Sequence, residues 1–225
     1  MSNLQDNLLS SYDYSLDSSF IAQSPVEPRH LAKLLVVDEC NGNLRSSKHK
    51  IVWDWADDLR KEDLIILNDT KVIKARLRVR RPGGGLGELL LLEPLQDGLW
   101  LCLAKPGKRM RPGDNLFLDV EDAQPISLEI VANHQETGGR IVRFPSEFSN
   151  RKDIEIILDK YGEVPLPPYI QKINSDIIDA DRYQTIFAKK SGSVAAPTAG
   201  LHFSKQLMKK LEIKGINLAE ITLHV

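Results

Sequence analysis

Between residues 76 and 144, apolar and polar side chains alternate in short runs that are separated by Gly, Pro, Asn and Asp. Such alternation directs every second side chain toward a core, as in β-strands. Because several short strands joined by turns are typical of closed or stacked sheets, we predict a small antiparallel barrel or sandwich. The predicted strands are Arg76–Arg80, Glu88–Glu93, Leu99–Ala104, Leu116–Val120, Ile126–Ala132 and Arg140–Phe144.

The sequence on either side of this β-rich stretch has a mixed helical and strand pattern. Ser149 or Asn150 is expected to cap the helix that follows it. In the segment before the β-rich stretch we predict a strand at Ala32–Val37, a turn containing Gly42, a short helix at Trp53–Leu59 and a buried strand at Leu64–Leu67. We therefore predict an α/β (mixed α+β) main domain of residues 1–71 and 150–225, with a mainly antiparallel, barrel-like domain of residues 72–149 inserted into it.

Residues 192–203 read Gly-Ser-Val-Ala-Ala-Pro-Thr-Ala-Gly-Leu-His-Phe, which fits neither a regular helix nor an alternating strand. Pro197 favours an extended residue before it. Gly192 and Gly200 permit backbone angles or close approaches that a side chain would forbid. An irregular segment of this kind indicates a functional site. Thr198 is one of the two strongly polar side chains in it that could contact a ligand.

The other such side chain is that of His202, which precedes a predicted helix. Ser204 is expected to cap a helical run at Lys205–Lys210, so His202 lies just ahead of a helix N-terminus. The helix macrodipole disfavours imidazolium there, and a neutral imidazole can act as a base. The alternative is a tightly packed buried turn whose histidine is hydrogen-bonded to a backbone carbonyl.

Positive charge is clustered, although the net charge of the chain is only -1. On a strand, Arg76, Arg78 and Arg80 share one face, while Leu77 and Val79 point to the core. Clustered arginine and lysine favour contact with nucleic-acid phosphates. The alternative is a solvated strand face that charge protects from edge pairing. A second basic group comprises Lys105, Lys108, Arg109 and Arg111.

Polar residues that follow a predicted strand form another candidate site. Asn68, Asp69 and Thr70 come directly after the apolar run that ends at Leu67, a position where α/β sheets present polar groups to ligands. Asn and Asp are also ordinary turn formers, so local turn chemistry is the alternative.

Two further segments offer aromatic and charged groups. The proline-rich run at residues 165–170 could place Tyr169 for stacking or hydrogen bonding, or Tyr169 could close the core. Arg182 and Gln184 are candidate nucleotide-binding residues, whereas Tyr183 is a candidate structural residue. The glycines at 83–87 lack the lysine of a phosphate-binding loop and precede a strand, so they predict a hairpin turn.

Composition sets broad limits on the class of protein. A chain of 225 residues with 42% hydrophobic content can bury a sizeable core. No apolar run approaches the roughly 20 residues of a membrane span, and the polar N-terminus lacks a signal-peptide core. We therefore expect a soluble, cytoplasmic protein. Cys40 and Cys102 form no metal-binding spacing, so the sequence implies two reduced thiols and no metal.

Several long sequence segments together resemble those of one family, the S-adenosylmethionine:tRNA ribosyltransferase-isomerases of the queuosine pathway. The resemblance covers essentially the whole chain. Besides residues 192–203, it rests on Tyr12-Asp-Tyr14, Ile21-Ala-Gln-Ser-Pro25, Pro28-Arg29, Leu34-Leu-Val-Val37, Leu67-Asn-Asp-Thr-Lys-Val72, Ala75-Arg-Leu77, Val164-Pro-Leu-Pro-Pro-Tyr-Ile170 and Asp181-Arg-Tyr-Gln-Thr-Ile-Phe-Ala188.

The resemblance implies an enzyme that transfers and isomerises the ribosyl group of S-adenosylmethionine onto 7-aminomethyl-7-deazaguanine at the tRNA wobble position. The product would be epoxyqueuosine-tRNA, with adenine and methionine released. S-adenosylmethionine is then a co-substrate, no true cofactor is implied, and tRNA is the partner of a monomer without membrane contact.

This chemistry needs a neutral base, because the sulfonium acidifies the adjacent ribose C5′, and it needs a proton donor or strong hydrogen bond for departing adenine. We expect His202 to be the base and Asp69 or His224 to orient substrate or assist proton transfer. The predicted substrate-binding residues are Asn68, Thr70, Arg76, Tyr169, Arg182, Gln184, Thr198, Gly200 and His224. The predicted tRNA-binding residues are Arg78, Arg80, Lys105, Lys108 and Arg109.

The chain stops at Val225, where a predicted strand has begun. In the family this strand leads into a Gly-Ala-Gly-Thr-Phe motif, which is followed by a further third of the protein. We therefore expect a truncated chain whose activity is impaired. The alternative function is an RNA-binding remnant that retains the basic strand without the chemistry.

Overall fold

A computed structural model describes residues 8–40, 43–120, 125–148, 150–170 and 180–224. The predicted Gly42 turn and Ser149 lie outside these ranges. Within them, no helix is long and apolar enough to cross a membrane. The strands are β1 Lys33–Cys40, β2 Asn43–Ile51, β3 Leu64–Asn68, β4 Thr70–Val72, β5 Arg76–Arg80, β6 Leu86–Pro94, β7 Leu99–Lys105, β8 Asn115–Leu118, β9 Ser127–Asn133, β10 Arg140–Arg143, β11 Gly162–Glu163, β12 Lys190–Ser193 and β13 Asn217–Ile221, and the α-helices are α1 Val52–Asp58, α2 Arg151–Tyr161 and α3 Lys205–Lys214.

Six antiparallel strands form a closed barrel. The strand order is β5–β6–β7–β10–β9–β8, and β8 pairs back onto β5 through Val79 with Leu118 and Arg80 with Phe117. All six correspond to strands predicted from the alternating pattern, and the glycine-rich segment is the β5–β6 hairpin turn. The expected mixed α+β fold with a barrel is therefore confirmed, and the barrel replaces the open choice between barrel and sandwich.

The barrel core follows from the alternation of its strands. Leu77 and Val79 are fully buried, whereas Arg78 and Arg80 are exposed on the other face of β5. Helix α2 packs Ile154 and Leu158 into the same apolar cluster. Burial of these side chains removes apolar surface from water, which is the main stabilising contribution. The assignment of residues 72–149 to a separate inserted domain stays a prediction.

Both ends of helix α2 have a local cause. The Asn150 side chain accepts a hydrogen bond from the Asp153 backbone N–H, so Asn150 is the N-cap. The helix ends at Gly162, where an added Cβ would lie 2.1 Å from the Lys74 carbonyl oxygen. Only glycine allows the backbones to approach this closely.

Strand β11 pairs antiparallel with β5 at the side of the barrel sheet, and the other six strands form three two-stranded sheets. β1 and β2 are antiparallel, whereas β3–β13 and β4–β12 are parallel pairs. Helices α1 and α3 pack with β3 around an apolar cluster that includes Leu67, Phe203 and Leu207.

The expectation that β3 is wholly buried is wrong. Leu67 is 5% exposed, but Leu64 and Ile66 are 56% and 58% exposed. Within the described residues β3 pairs only with β13, and the period-2 geometry of a strand turns alternate side chains away from the core. Leu218 and Ile221 of β13 are also exposed. An apolar run can therefore be a half-buried strand.

Candidate functional site

The segment before helix α3 has the irregular backbone that its sequence predicts. Thr198–His202 form a 3₁₀ turn, and the Ser204 side chain caps α3 by accepting a hydrogen bond from the Leu207 N–H. A Cβ at Gly200 would lie 2.9 Å from the Phe187 ring, so this glycine permits a close approach. The predicted N-cap at Ser204 and the place of His202 directly ahead of the helix are confirmed.

The Ser204 hydroxyl also fixes a second histidine. Its Oγ lies 2.6 Å from Nδ1 of buried His30, and the His30 ring lies tilted against Trp53 with the ring centroids 4.7 Å apart. The N-terminal loop is thereby tied to the start of α3. His30 was not a sequence-derived candidate, because nothing local to residue 30 indicates a partner 174 positions away.

His202 lines a small pocket of about 150 Å³ together with two arginines. Its side chain is exposed at the pocket rim. Partial desolvation by the surrounding groups lowers the pKa of His202 below its usual range. The imidazole is therefore favoured in its neutral form near neutral pH, as a general base requires. The pocket is lined by Pro25, Val26, Arg29, Ala32, Arg182, Leu201 and His202.

A larger cavity of about 270 Å³ adjoins this pocket. The two share Pro25, Arg182 and Leu201, and together they form what we call the His202 cleft. Tyr169 and Thr198 line the larger cavity. The structure thus brings together four sequence-predicted site residues, namely Tyr169, Arg182, Thr198 and His202.

Arg29 is a cleft residue that sequence reasoning did not single out. Its guanidinium donates hydrogen bonds to the carbonyl oxygens of Gln184 at 2.5 Å and Asp181 at 2.8 Å. These contacts hold the turn that carries Arg182 against the N-terminal loop. The available signal was the Pro28-Arg29 pair, but its partners, 152 and 155 residues away, were not evident from the sequence.

The Gln184 side chain has a structural partner. Its Oε1 accepts from the Val72 N–H at 2.9 Å, and its Nε2 donates to the Val72 carbonyl at 3.1 Å. The amide thus pairs with the β4 backbone as another strand would. Tyr183 is half-buried and has a hydrogen bond with the Ala196 backbone, and burial raises the pKa of its hydroxyl.

A second group of predicted residues gathers at the end of β3, and we call it the Asp69 cluster. Buried Asp69 accepts a hydrogen bond from the Thr222 hydroxyl at 2.6 Å. Thr70 Oγ1 lies 2.7 Å from Nδ1 of His224. Asn68 donates to the Leu223 carbonyl and accepts from its N–H. Thr222 and His224 lie beyond β13, which ends at Ile221.

The His202 cleft and the Asp69 cluster are distinct groups. None of the residues that line the two cleft cavities is Asn68, Asp69, Thr70 or His224. The structure therefore collects the predicted catalytic pair, His202 and Asp69, into two separate polar environments.

The arginines on β5 share one face as predicted, and each has an acidic neighbour. Arg78 pairs with Glu163 at 3.1 Å, and Arg80 pairs with Asp119 at 2.7 Å. Arg76 Nε lies 4.0 Å from Glu88, and its Nη2 donates to the Leu166 carbonyl.

The second basic group differs in its pairing. Lys105, Lys108 and Arg109 are exposed, and among the described residues none of the three forms an ion pair. Lys108 and Arg109 belong to a 3₁₀ turn after β7. Lys105 lies opposite Glu88 on β6, so Lys108 and Arg109 are better placed than the β5 arginines to meet an external anion.

Metal-ligating residues are not grouped in the described part of the chain, where no three His, Cys, Asp or Glu side chains could hold an ion. Cys102 is a fully buried free thiol, and burial raises its pKa. A buried, protonated thiol is unreactive.

Comparison with known proteins identifies the family. The model of a family described as "Queuosine biosynthesis protein" matches residues 9–225, and the chain belongs to this family. The resemblance predicted from the sequence words is confirmed.

Two curated relatives carry the name S-adenosylmethionine:tRNA ribosyltransferase-isomerase. The protein of Prochlorococcus marinus strain MIT 9313 is 53% identical over 98% of this chain and 59% of its own length. That of Synechococcus sp. strain CC9311 is 54% identical over 100% of this chain and 60% of its own length. The chain therefore spans about 60% of the length of these relatives.

A solved structure is also similar in sequence. It is an S-adenosylmethionine tRNA ribosyltransferase from Thermotoga maritima, 30% identical, with a match that covers 95% of this chain and 58% of that one. The TM-score is 0.36.

We predict that His202 contributes to loss of stability in acid. Because burial lowers its folded-state pKa below the ordinary value of about 6.5, the folded chain binds fewer protons than the unfolded chain. Its contribution to stability is therefore fully present above about pH 6.5 and is lost as the pH falls from there through the lower folded-state pKa. In urea unfolding between about pH 7 and about pH 5, His202→Gln should lose less stability than the unmodified chain.

The matched control is His49→Gln, since His49 is an exposed histidine on β2. An identical pH dependence for His202→Gln and the unmodified chain would contradict the prediction.

Proposed function

We propose that this chain catalyses the transfer and isomerisation of the ribosyl group of S-adenosylmethionine onto 7-aminomethyl-7-deazaguanine in the tRNA wobble position. The products are epoxyqueuosine-tRNA, adenine and methionine. The observation that carries the proposal is the family match over residues 9–225, together with relatives at 51–54% identity that bear this enzyme name. We further propose a cytoplasmic monomer that uses S-adenosylmethionine as a co-substrate, with no true cofactor.

His202 is the proposed general base. The sulfonium of S-adenosylmethionine acidifies the ribose C5′, and a neutral imidazole can take that proton. What supports this role is the lowered pKa of His202 and its position on the cleft rim beside Arg182. The proton would move from C5′ to an imidazole nitrogen, and adenine would leave from the anomeric carbon with the help of a hydrogen-bond donor.

The Asp69 cluster is proposed to orient the acceptor base. The 7-aminomethyl group is an amine that carries positive charge at neutral pH, and a carboxylate attracts it. Asp69 is held by Thr222, and His224 is held by Thr70. Two preset polar groups at the carboxyl end of a parallel strand suit ligand recognition.

We propose that tRNA phosphates meet the loop after β7 more strongly than the β5 face. The support is the difference in pairing, because Arg78 and Arg80 already face carboxylates whereas Lys108 and Arg109 have no ion-pair partner in the part of the chain that the structure describes. A cation that is already paired gains less from a phosphate, since the existing ion pair must be broken.

We predict that His202→Ala slows ribosyl transfer by about 10²- to 10⁴-fold, the usual range for lost acid-base catalysis. The measurement is the rate of adenine release and of epoxyqueuosine formation in tRNA, with folding checked by circular dichroism. His49→Ala is the matched control. Unchanged turnover in His202→Ala would remove the proposed role.

We predict that Lys108→Ala with Arg109→Ala weakens tRNA binding and lowers the slope of log affinity against log salt by about 1 to 2. The matched pair, Arg78→Ala with Arg80→Ala, should change the slope less. The measurement is tRNA binding at several salt concentrations. Equal or larger effects from the β5 pair would contradict the ranking.

The alternative is an RNA-binding chain without the chemistry. The same assays separate it from the proposed function. Salt-sensitive tRNA binding with no adenine release from the 225-residue chain would favour the alternative, whereas adenine release that requires the tRNA base favours ribosyl transfer.

A further inference from the structure

The larger cavity of the His202 cleft has the size of a site for one ring system. Its volume is about 270 Å³. Whole small-molecule pockets typically occupy roughly 300–1,000 Å³. A cavity just below this range accommodates a fragment of S-adenosylmethionine, and the adjoining pocket of about 150 Å³ offers space for a second fragment.

The lining of this cavity suits a flat, weakly polar ring. Apolar walls surround the aromatic side chains of Tyr169 and Tyr183. The Tyr169 ring is 56% exposed and can stack on a base, whereas Tyr183 is fixed by its hydrogen bond with Ala196. The apolar lining residues are Ala22, Pro25, Leu166, Pro167, Ile170 and Leu201.

Charge decides between the two bases of the proposed reaction. Among residues 8–40, 43–120, 125–148, 150–170 and 180–224, those that line the cavity include Arg182 but no Asp or Glu. The 7-aminomethyl-7-deazaguanine base carries a cationic amine, which such a lining would repel and leave unpaired. Adenine is neutral, so its burial there leaves no charge without a partner.

We propose that this cavity binds the adenine ring of S-adenosylmethionine, with Tyr169 stacked on one face. The inference rests on the proposed function, and it assigns one part of the co-substrate to one part of the cleft. Because the two cavities share Arg182 and Leu201, the ribose attached to the adenine extends toward the smaller pocket and His202.

The test is calorimetric binding of adenine to the 225-residue chain, with no turnover required. Tyr169→Ala should weaken adenine binding by about 5- to 100-fold, as expected for a lost base-stacking side chain. Ala22→Trp, at an exposed lining position, should block binding by filling the cavity. Tyr14→Ala is the matched control, because Tyr14 is 74% exposed and lines neither cleft cavity.

Weakened adenine binding in either cleft variant, with Tyr14→Ala unaffected, supports the site. The proposal is overturned if adenine does not bind the unmodified chain. It is also overturned if both cleft variants bind adenine as tightly as the unmodified chain does. Tighter binding of 7-aminomethyl-7-deazaguanine in competition with adenine also overturns it.

The result is separable from the proposed function. Adenine binding that depends on Tyr169 in a chain without ribosyl transfer leaves the site and removes the function. Ribosyl transfer that is insensitive to both cleft substitutions leaves the function and removes the site.

Discussion

The described structure depends on a change of strand partner at Asp69. Its N–H donates to the Ile221 carbonyl at 2.9 Å, and its carbonyl accepts from the Lys189 and Lys190 N–H groups at 2.7 and 3.1 Å. Before it, β3 pairs in parallel with β13, and after it β4 pairs in parallel with β12. One backbone residue thus links two separate segments of the C-terminal half. Both backbone polar groups of Asp69 are thus hydrogen-bonded. Its side-chain carboxylate accepts a separate hydrogen bond from the Thr222 hydroxyl.

The same arrangement positions the cleft. Gln184 pairs with the β4 backbone, and Arg29 holds the carbonyl of Gln184. The N-terminal loop, β4 and the turn that carries Arg182 therefore form one connected hydrogen-bond network. On the other side, the Phe187 ring packs edge-on against Phe203 and closely approaches Gly200, which places the turn that ends at His202. These contacts fix the backbone around the cleft, so the side chains that face it are preorganised.

Local patterns were sufficient to predict much of the fold. The alternation in β5 predicted which side chains face the barrel core. Ser204 predicted where α3 begins, and the choice between Ser149 and Asn150 located the start of α2 to within one residue. The predictions failed or were silent where partners are distant. The half-exposure of β3 depends on β13, and the role of Arg29 depends on two carbonyls about 150 residues away. A periodic pattern encodes which side chains are buried, but it contains no information about which strand or carbonyl becomes the partner.

The proposed role of His202 is to remove a proton from the ribose C5′ of S-adenosylmethionine bound in the His202 cleft. The most direct measurement uses S-adenosylmethionine labelled with deuterium at C5′, incubated with the chain and the tRNA substrate in ordinary water. The account predicts release of C5′ deuterium into water, and it predicts that His202→Ala suppresses this release in parallel with ribosyl transfer. Release that is unchanged in His202→Ala would contradict the account.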